Sequence, residues 1–135
     1  MDFLGLRHLK QSFSCAFAGF AVVWHETALK QELVIGLFAL PFAWLAPGLT
    51  LLWRVFLTLC WLGLPTMEVV NTAIETVVNL VSPEWNPLAK KAKDLGGATV
   101  ACVCLANLIV WGAAIYKVLD WLVTIGAPFG RSVAA

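Results

Sequence analysis

The run Thr66-Met67-Glu68-Val69-Val70-Asn71-Thr72-Ala73-Ile74-Glu75-Thr76-Val77-Val78-Asn79 sets two carboxylates and two amides into an otherwise apolar stretch, at spacings of three, four and four. At ~100° per helical residue, Glu68, Asn71, Glu75 and Asn79 fall within roughly 80° of arc, so a helix carries them as one polar stripe. Two carboxylates in hydrocarbon are costly, because each must shed water or bind a proton. They need partners. A divalent cation, a proton network or a polar substrate would each serve, and the purely structural alternative is a protonated Glu bonded to a neighbouring helix.

The rest of the chain makes hydrocarbon the right reference. Of 135 residues, 61% are hydrophobic and 13% charged, with seven Trp, far from a soluble average. The expected fold class is therefore an all-α membrane protein, with one domain over residues 1–124. No secretory signal is expected, since the first apolar segment follows Arg7 and Lys10 without a small-residue cleavage site. A net charge of +1 leaves no electrostatic footprint for nucleic acid. Cys15, Cys60, Cys102 and Cys104 lack zinc-type spacing and read as small packing residues.

Outward from the stripe, the elements follow from breakers and caps. Residues from about 4 to 25 mix Phe, Leu and Val with Arg7 and Lys10, which suits an amphipathic N-terminal surface helix lying in the interface. A polar turn region with His25, Glu26, Lys30, Gln31 and Glu32 comes next, and its carboxylates stand at the mouth of the first span. Leu33 to Trp53 holds no charge, but Pro41 and Ala46-Pro47-Gly48 divide it, giving spans at about 30–46 and 49–81 joined by a tight turn. Ser82-Pro83-Glu84-Trp85-Asn86-Pro87 is a loop, in which Asn86 caps a third span of about 87–120 with proline at its first position. Gly96, Gly97, Ala98 and Ala101 would let another helix approach that span closely. The tail, 125–135, reads as disordered. Six of the nine basic residues flank the stripe side, against Arg54, Lys117 and Arg131 opposite, so the N-terminus and the 82–93 loop are expected in the cytoplasm and Trp44, Trp53 and Trp121 at the outer interface.

Collected on the inner side are Glu26, Glu32, Glu68, Asn71, Glu75, Asn79, Lys93 and Asp94. Carboxylates and amide oxygens are the hard ligands Mg²⁺ takes, usually one or two carboxylates completed by substrate phosphates. Lys93 adds the positive charge phosphates require, and a remaining carboxylate can accept a proton from an attacking hydroxyl. The mixture points to phosphoryl transfer at a membrane surface. Neither G-x-x-x-x-G-K-[ST] nor G-x-G-x-x-G occurs, so no P-loop or protein-kinase nucleotide site is indicated.

M-E-V-V-N-T-A-I-E-T-V-V-N, with S-P-E-W-N-P-L-A-K-K-A-K-D-L-G-G-A-T-V after it, closely resembles the signature of the small prokaryotic diacylglycerol kinase family of integral-membrane lipid kinases. H-E-T-A-L-K-Q-E, from His25 to Glu32, resembles that family's N-E-A-A-F-R-Q-E. The resemblance spans about residues 7 to 120. It implies a homotrimer of three-span subunits with active sites shared between neighbours, in the bacterial inner membrane, and ATP with Mg²⁺ as cofactor. By motif it makes Glu68 the catalytic base with Asn71 beside it, Glu26 and Glu75 the Mg²⁺ ligands, and Arg7, Glu84, Trp85, Asn86, Lys93 and Asp94 nucleotide contacts. Ala28, Leu29, Lys30, Gln31 and Glu32 match the lipid-binding surface.

Three departures stand against that pattern. The chain is one residue shorter between Gly19 and Glu26, Cys15 stands near a usual tyrosine, and Asn79 occupies a position commonly aspartate. For the acceptor, A-K-D-L-G-G-A and the Q-E pair resemble the diacylglycerol enzymes, whereas S-P-E-W-N-P-L-A-K leans towards the undecaprenol kinases. A reading from another class is a small ion- or proton-coupled transport subunit, since intramembrane carboxylates serve there too.

Overall fold

The computed structural model describes residues 5–132, with side chains described as far as Ile125. The described residues form four helices, α1 (Leu6–Val23), α2 (Thr27–Leu45), α3 (Leu51–Val81) and α4 (Pro87–Ser132). Three of them, α2, α3 and α4 through Ile125, are long and apolar enough to cross a membrane. At 1.5 Å per residue, the 31 residues of α3 reach about 46 Å, beyond the ~30 Å of a hydrocarbon core, so one end of α3 must project from it.

α1 follows Gly5, which has φ of 59°, and leaves Leu6, Leu9, Phe13, Phe17 and Phe20 exposed, with Val23 buried at its end. Its register is close to the expected 4–25. α2 runs through Pro41, as the expected span of about 30–46 also does. A span surrounded by other helices and lipid tolerates the lost hydrogen bond. Pro65 likewise lies within α3, leaving the carbonyl of Trp61 without its usual N–H.

The turn between α2 and α3 is held from both sides. Gly48, at φ 74°, takes a left-handed conformation, and a Cβ there would meet Trp121 Cγ at 2.7 Å. Arg54 donates from Nε to the carbonyl of Leu49 (3.2 Å) and from Nη2 to that of Ala46 (3.1 Å). Trp44 Nε1 donates to Thr58 Oγ1 at 3.2 Å. Ala43, Ala46, Leu49, Leu57, Ala114 and Val118 form the buried core at this same end. The other end of the bundle, where the polar stripe lies, is far more open.

α3 is the central helix and packs against both α2 and α4. Asn107 of α4 donates from Nδ2 to the carbonyl of Cys60 on α3 (2.9 Å) as well as to Val103 of its own helix (3.0 Å). Gly36 of α2 lies against the indole of Trp61, and a Cβ there would overlap the six-membered ring. Gly36→Val is therefore expected to force α2 and α3 apart and to cost about 1 to 3 kcal/mol, measurable as a lower melting temperature of the detergent-solubilised protein. An unchanged melting temperature would show that Trp61 swings aside freely.

The cap expected at Asn86 forms: its Oδ1 accepts from the backbone N–H of Leu88 (2.8 Å) and of Ala89 (3.4 Å). The far end of α4 differs from expectation. The helical backbone continues to Ser132, through most of the stretch read as disordered from residue 125, and residues 133–135 lie outside the described residues. Extending an existing helix fixes one residue per hydrogen bond gained, which outweighs the Gly and Pro signals that suggested an end.

Candidate functional site

The stripe forms as its spacing requires. Glu68, Asn71, Glu75 and Asn79 occupy successive turns in the second half of α3, with Glu68 and Asn71 half-buried and Glu75 and Asn79 exposed. Asn71 donates from Nδ2 to Glu75 Oε1 at 3.2 Å, which ties two members of the stripe together. Its Oδ1 is buried and has no hydrogen-bond partner. That oxygen lies directly over Gly96 of α4, where any Cβ would collide with it. Of the two adjacent glycines, Gly96 thus makes the close approach, while Gly97 faces open space.

The turn before α2 adds two more carboxylates. Glu26 is the extended residue that precedes α2, and its carbonyl accepts from the backbone N–H of Lys30 at 3.4 Å. Glu32 is one and a half turns into α2 and buried, with one carboxylate oxygen unpartnered. Glu68 is the hub: it interacts electrostatically with Glu75 and with Glu26, and Glu32 interacts with Glu68. Glu68 thus faces like charge from three carboxylates of the same chain, which calls for positive charge or protons to offset it. Among the described residues, no three His, Cys, Asp or Glu side chains converge closely enough to hold a metal ion by themselves. The donor set suits a hard cation that takes one or two carboxylates and completes its shell from elsewhere, and Glu26 and Glu75 are the two most open to a ligand.

A second cluster lies at the α3–α4 loop. Asn79, Glu84, Trp85, Asn86, Lys90, Lys93 and Asp94 line a pocket of about 390 Å³. Trp85 is 81% exposed, so its indole is offered outward and does not serve as core. Ser82 Oγ donates to the carbonyl of Glu84 at 3.1 Å and shapes the loop. Lys93 reaches back across the loop, its Nζ donating to Asn79 Oδ1 at 2.7 Å, while Lys90 forms an ion pair with Asp94 one turn along α4. The two clusters share α3: Asn79 follows Glu75 by one turn. Ala28 to Glu32 occupy the first turns of α2, with Leu29 and Glu32 buried and Lys30 and Gln31 exposed. Arg7 sits in the exposed first turn of α1.

The model of the prokaryotic diacylglycerol kinase family matches residues 14–115. The chain belongs to that family. It is similar to a diacylglycerol kinase of Sinorhizobium sp (36% identical over 103 residues, 76% of this chain and 74% of that protein). It is also similar to the diacylglycerol kinases of Escherichia coli strain K12 (30% over 109 residues, 79% of this chain and 88% of that protein) and of Helicobacter pylori strain 26695 (29% over 110 residues, 82% and 80%). Membership makes the chain a multi-pass membrane enzyme of the kinase class.

Several contacts escaped sequence reasoning. The Lys90–Asp94 pair was readable from its i,i+4 spacing. The seat of Asn71 on Gly96 and the bond from Lys93 to Asn79 depend on how α3 and α4 are rotated against each other, for which the sequence carries no local signal.

Proposed function

We propose that this chain is an ATP- and Mg²⁺-dependent diacylglycerol kinase, transferring the γ-phosphate of ATP to the free hydroxyl of diacylglycerol and releasing phosphatidic acid at the cytoplasmic face of the inner membrane. The observation that carries this reading is the position of Glu68, surrounded by Glu26, Glu32 and Glu75 and followed two to three turns later by the Lys93 pocket. On this reading Glu68 is the base, Glu26 and Glu75 the metal ligands and Lys93 the cationic phosphate contact, the set that phosphoryl transfer requires.

The residues divide the work. Glu68 accepts the proton of the lipid hydroxyl as its oxygen bonds to the γ-phosphorus and the bond to the bridging oxygen of ADP breaks. Asn71 holds Glu75 at a fixed rotamer. Glu26 and Glu75 would bind Mg²⁺ together with the phosphates, and the ion, when bound, offsets charge on the transferring group. Lys93 contacts the phosphates, Trp85 covers the adenine, and Arg7, Glu84, Asn86 and Asp94 complete the nucleotide contacts. Ala28 to Glu32 line the approach of the lipid, whose hydroxyl enters between Glu32 and Glu68. The open, half-exposed stripe also supports a homotrimer, in which neighbouring subunits shield the site from lipid and contribute to it.

A panel of acceptors tests the substrate. Purified enzyme given labelled ATP should phosphorylate diacylglycerol at least tenfold faster than undecaprenol at equal mole fraction in mixed micelles. The opposite ratio would make it an undecaprenol kinase.

Trp85 supplies a second check. An indole face stacked on a base contributes ~1 to 3 kcal/mol, so Trp85→Ala is expected to raise the apparent ATP constant about tenfold while leaving the diacylglycerol constant unchanged. If the ATP constant stays put and only the yield of folded protein falls, the indole is a membrane anchor.

A further inference from the structure

The resemblance assigns Lys93 to phosphate but leaves Asn79 without a role, and the pocket offers two lysines that are not equivalent. Lys90 and Lys93 both line it. Lys90 is engaged by a carboxylate, Asp94, on its own helix, at an exposed surface. Lys93 is half-buried and is engaged by an uncharged acceptor, Asn79 Oδ1, at 2.7 Å on the neighbouring helix. The distinction is electrostatic. A carboxylate at hydrogen-bond distance cancels most of an ammonium's field, and an incoming phosphate must compete with it. An amide oxygen fixes the ammonium while leaving its charge intact, and two of the three N–H donors remain for a ligand.

The geometry also sets the direction in which Lys93 points. Its long, rotamer-rich side chain starts on the second turn of α4, and the bond to Asn79, fourteen residues earlier and across the α3–α4 connection, brings the ammonium back towards α3. Held there, Nζ is bonded to the residue one turn beyond Glu75 on α3, in the pocket that Trp85 and Asn86 also line. Ordering such a side chain in advance removes an entropy cost, of order 0.5–1.5 kcal/mol, that would otherwise be taken from ligand binding.

We infer that Asn79 is the positioning residue for Lys93, holding its ammonium over the α3–α4 pocket as an uncancelled, pre-oriented charge for the phosphates of the nucleotide. The inference rests on the kinase reading of this pocket, and it gives the departure at position 79 a physical use. Asn79 itself touches no substrate. Its effect passes through Lys93.

A double-mutant cycle tests this, on the purified full-length enzyme in bilayer nanodiscs, with two readouts: steady-state kinetics in diacylglycerol, and calorimetric binding of a non-hydrolysable ATP analogue. Asn79→Ala should weaken nucleotide binding and raise the apparent ATP constant about fivefold, with turnover at saturating ATP within twofold of the native enzyme. Asn79→Asp keeps the interhelical bond but cancels the charge of the ammonium, and should leave nucleotide affinity about as low as in Asn79→Ala. Lys93→Ala should weaken binding more strongly, about tenfold or beyond, and adding Asn79→Ala to it should change nothing further, because the positioned group is gone. Additive effects of the two substitutions would overturn the inference, as would unaltered binding by Asn79→Ala where Lys93→Ala is impaired. Unaltered binding by Lys93→Ala would overturn both the inference and the nucleotide reading of the pocket. Melting temperatures of all variants separate these results from loss of fold, since the Asn79→Asp enzyme keeps the interhelical bond.

Discussion

Glu68→Gln is expected to lower turnover by ~10² or more with little change in the apparent ATP constant, the largest effect anticipated for a single substitution. The amide matches the carboxylate in shape, so the packing of α3 against α2 is retained, and what is lost, on the proposed reading, is a base used only as the hydroxyl attacks. Glu75→Gln should behave differently. Glu75 already accepts a hydrogen bond from Asn71 (3.2 Å), and a Gln can keep that bond while losing the charge that would bind metal. The expected signature is a higher Mg²⁺ requirement and a higher ATP constant, with turnover partly restored by excess Mg²⁺. Steady-state kinetics over a matrix of ATP and Mg²⁺ concentrations separates the two. Identical behaviour of the variants would refute the division of roles along the stripe.

Converting the protein to monomers should abolish turnover almost completely. Within one chain, the core of small buried residues lies at the α2–α3 turn, whereas the stripe end has Glu75 and Asn79 exposed and Val70 and Val77 facing outward. A site that open to lipid cannot exclude water or keep its carboxylates solvated in a controlled way, and the proposed trimer would complete it from neighbouring subunits. Cross-linking in mild detergent should trap a trimer, and activity should follow the trimer fraction as detergent is raised. A monomer with full turnover would contradict this. Subunit mixing refines the picture: Glu26 and Glu68 already interact within one chain, so mixtures of Glu26→Ala and Glu68→Ala enzymes are expected to regain little activity, in contrast to pairs whose residues come from different subunits.

Much of this architecture was legible from residue patterns, for reasons that also explain what was not. The stripe from Glu68 to Asn79 is a local property of a 3.6-residue period, so its existence on one helix face needed no tertiary information. Asn86 followed by Pro87 fixed the start of α4 because capping is chemistry between neighbours, and the bonds to Leu88 and Ala89 bear it out. The expected spans of about 30–46 and 49–81 already ran through two prolines. Pro41 and Pro65 sit inside continuous helices, since in a membrane bundle the alternative to a missing hydrogen bond is not a well-hydrated turn. The gathering of Glu26 and Glu32 around Glu68 could be anticipated only as a consequence of antiparallel packing. Which of Gly96 and Gly97 meets Asn71, and that Lys93 turns back to Asn79, depended on helix rotation. A one-residue change in register would exchange their neighbours.

The central claim is that these carboxylates move a phosphoryl group to a lipid and do not carry an ion across the membrane. Its most direct test is to reconstitute the purified protein in sealed vesicles containing diacylglycerol, supply ATP labelled at the γ-phosphate, and follow both the label and the internal pH. The account predicts one mole of label entering the organic phase as phosphatidic acid per mole of ADP formed, falling ~10² or more with Glu68→Gln, with no change in internal pH. Label remaining wholly in the aqueous phase while protons or ions cross the membrane would contradict it.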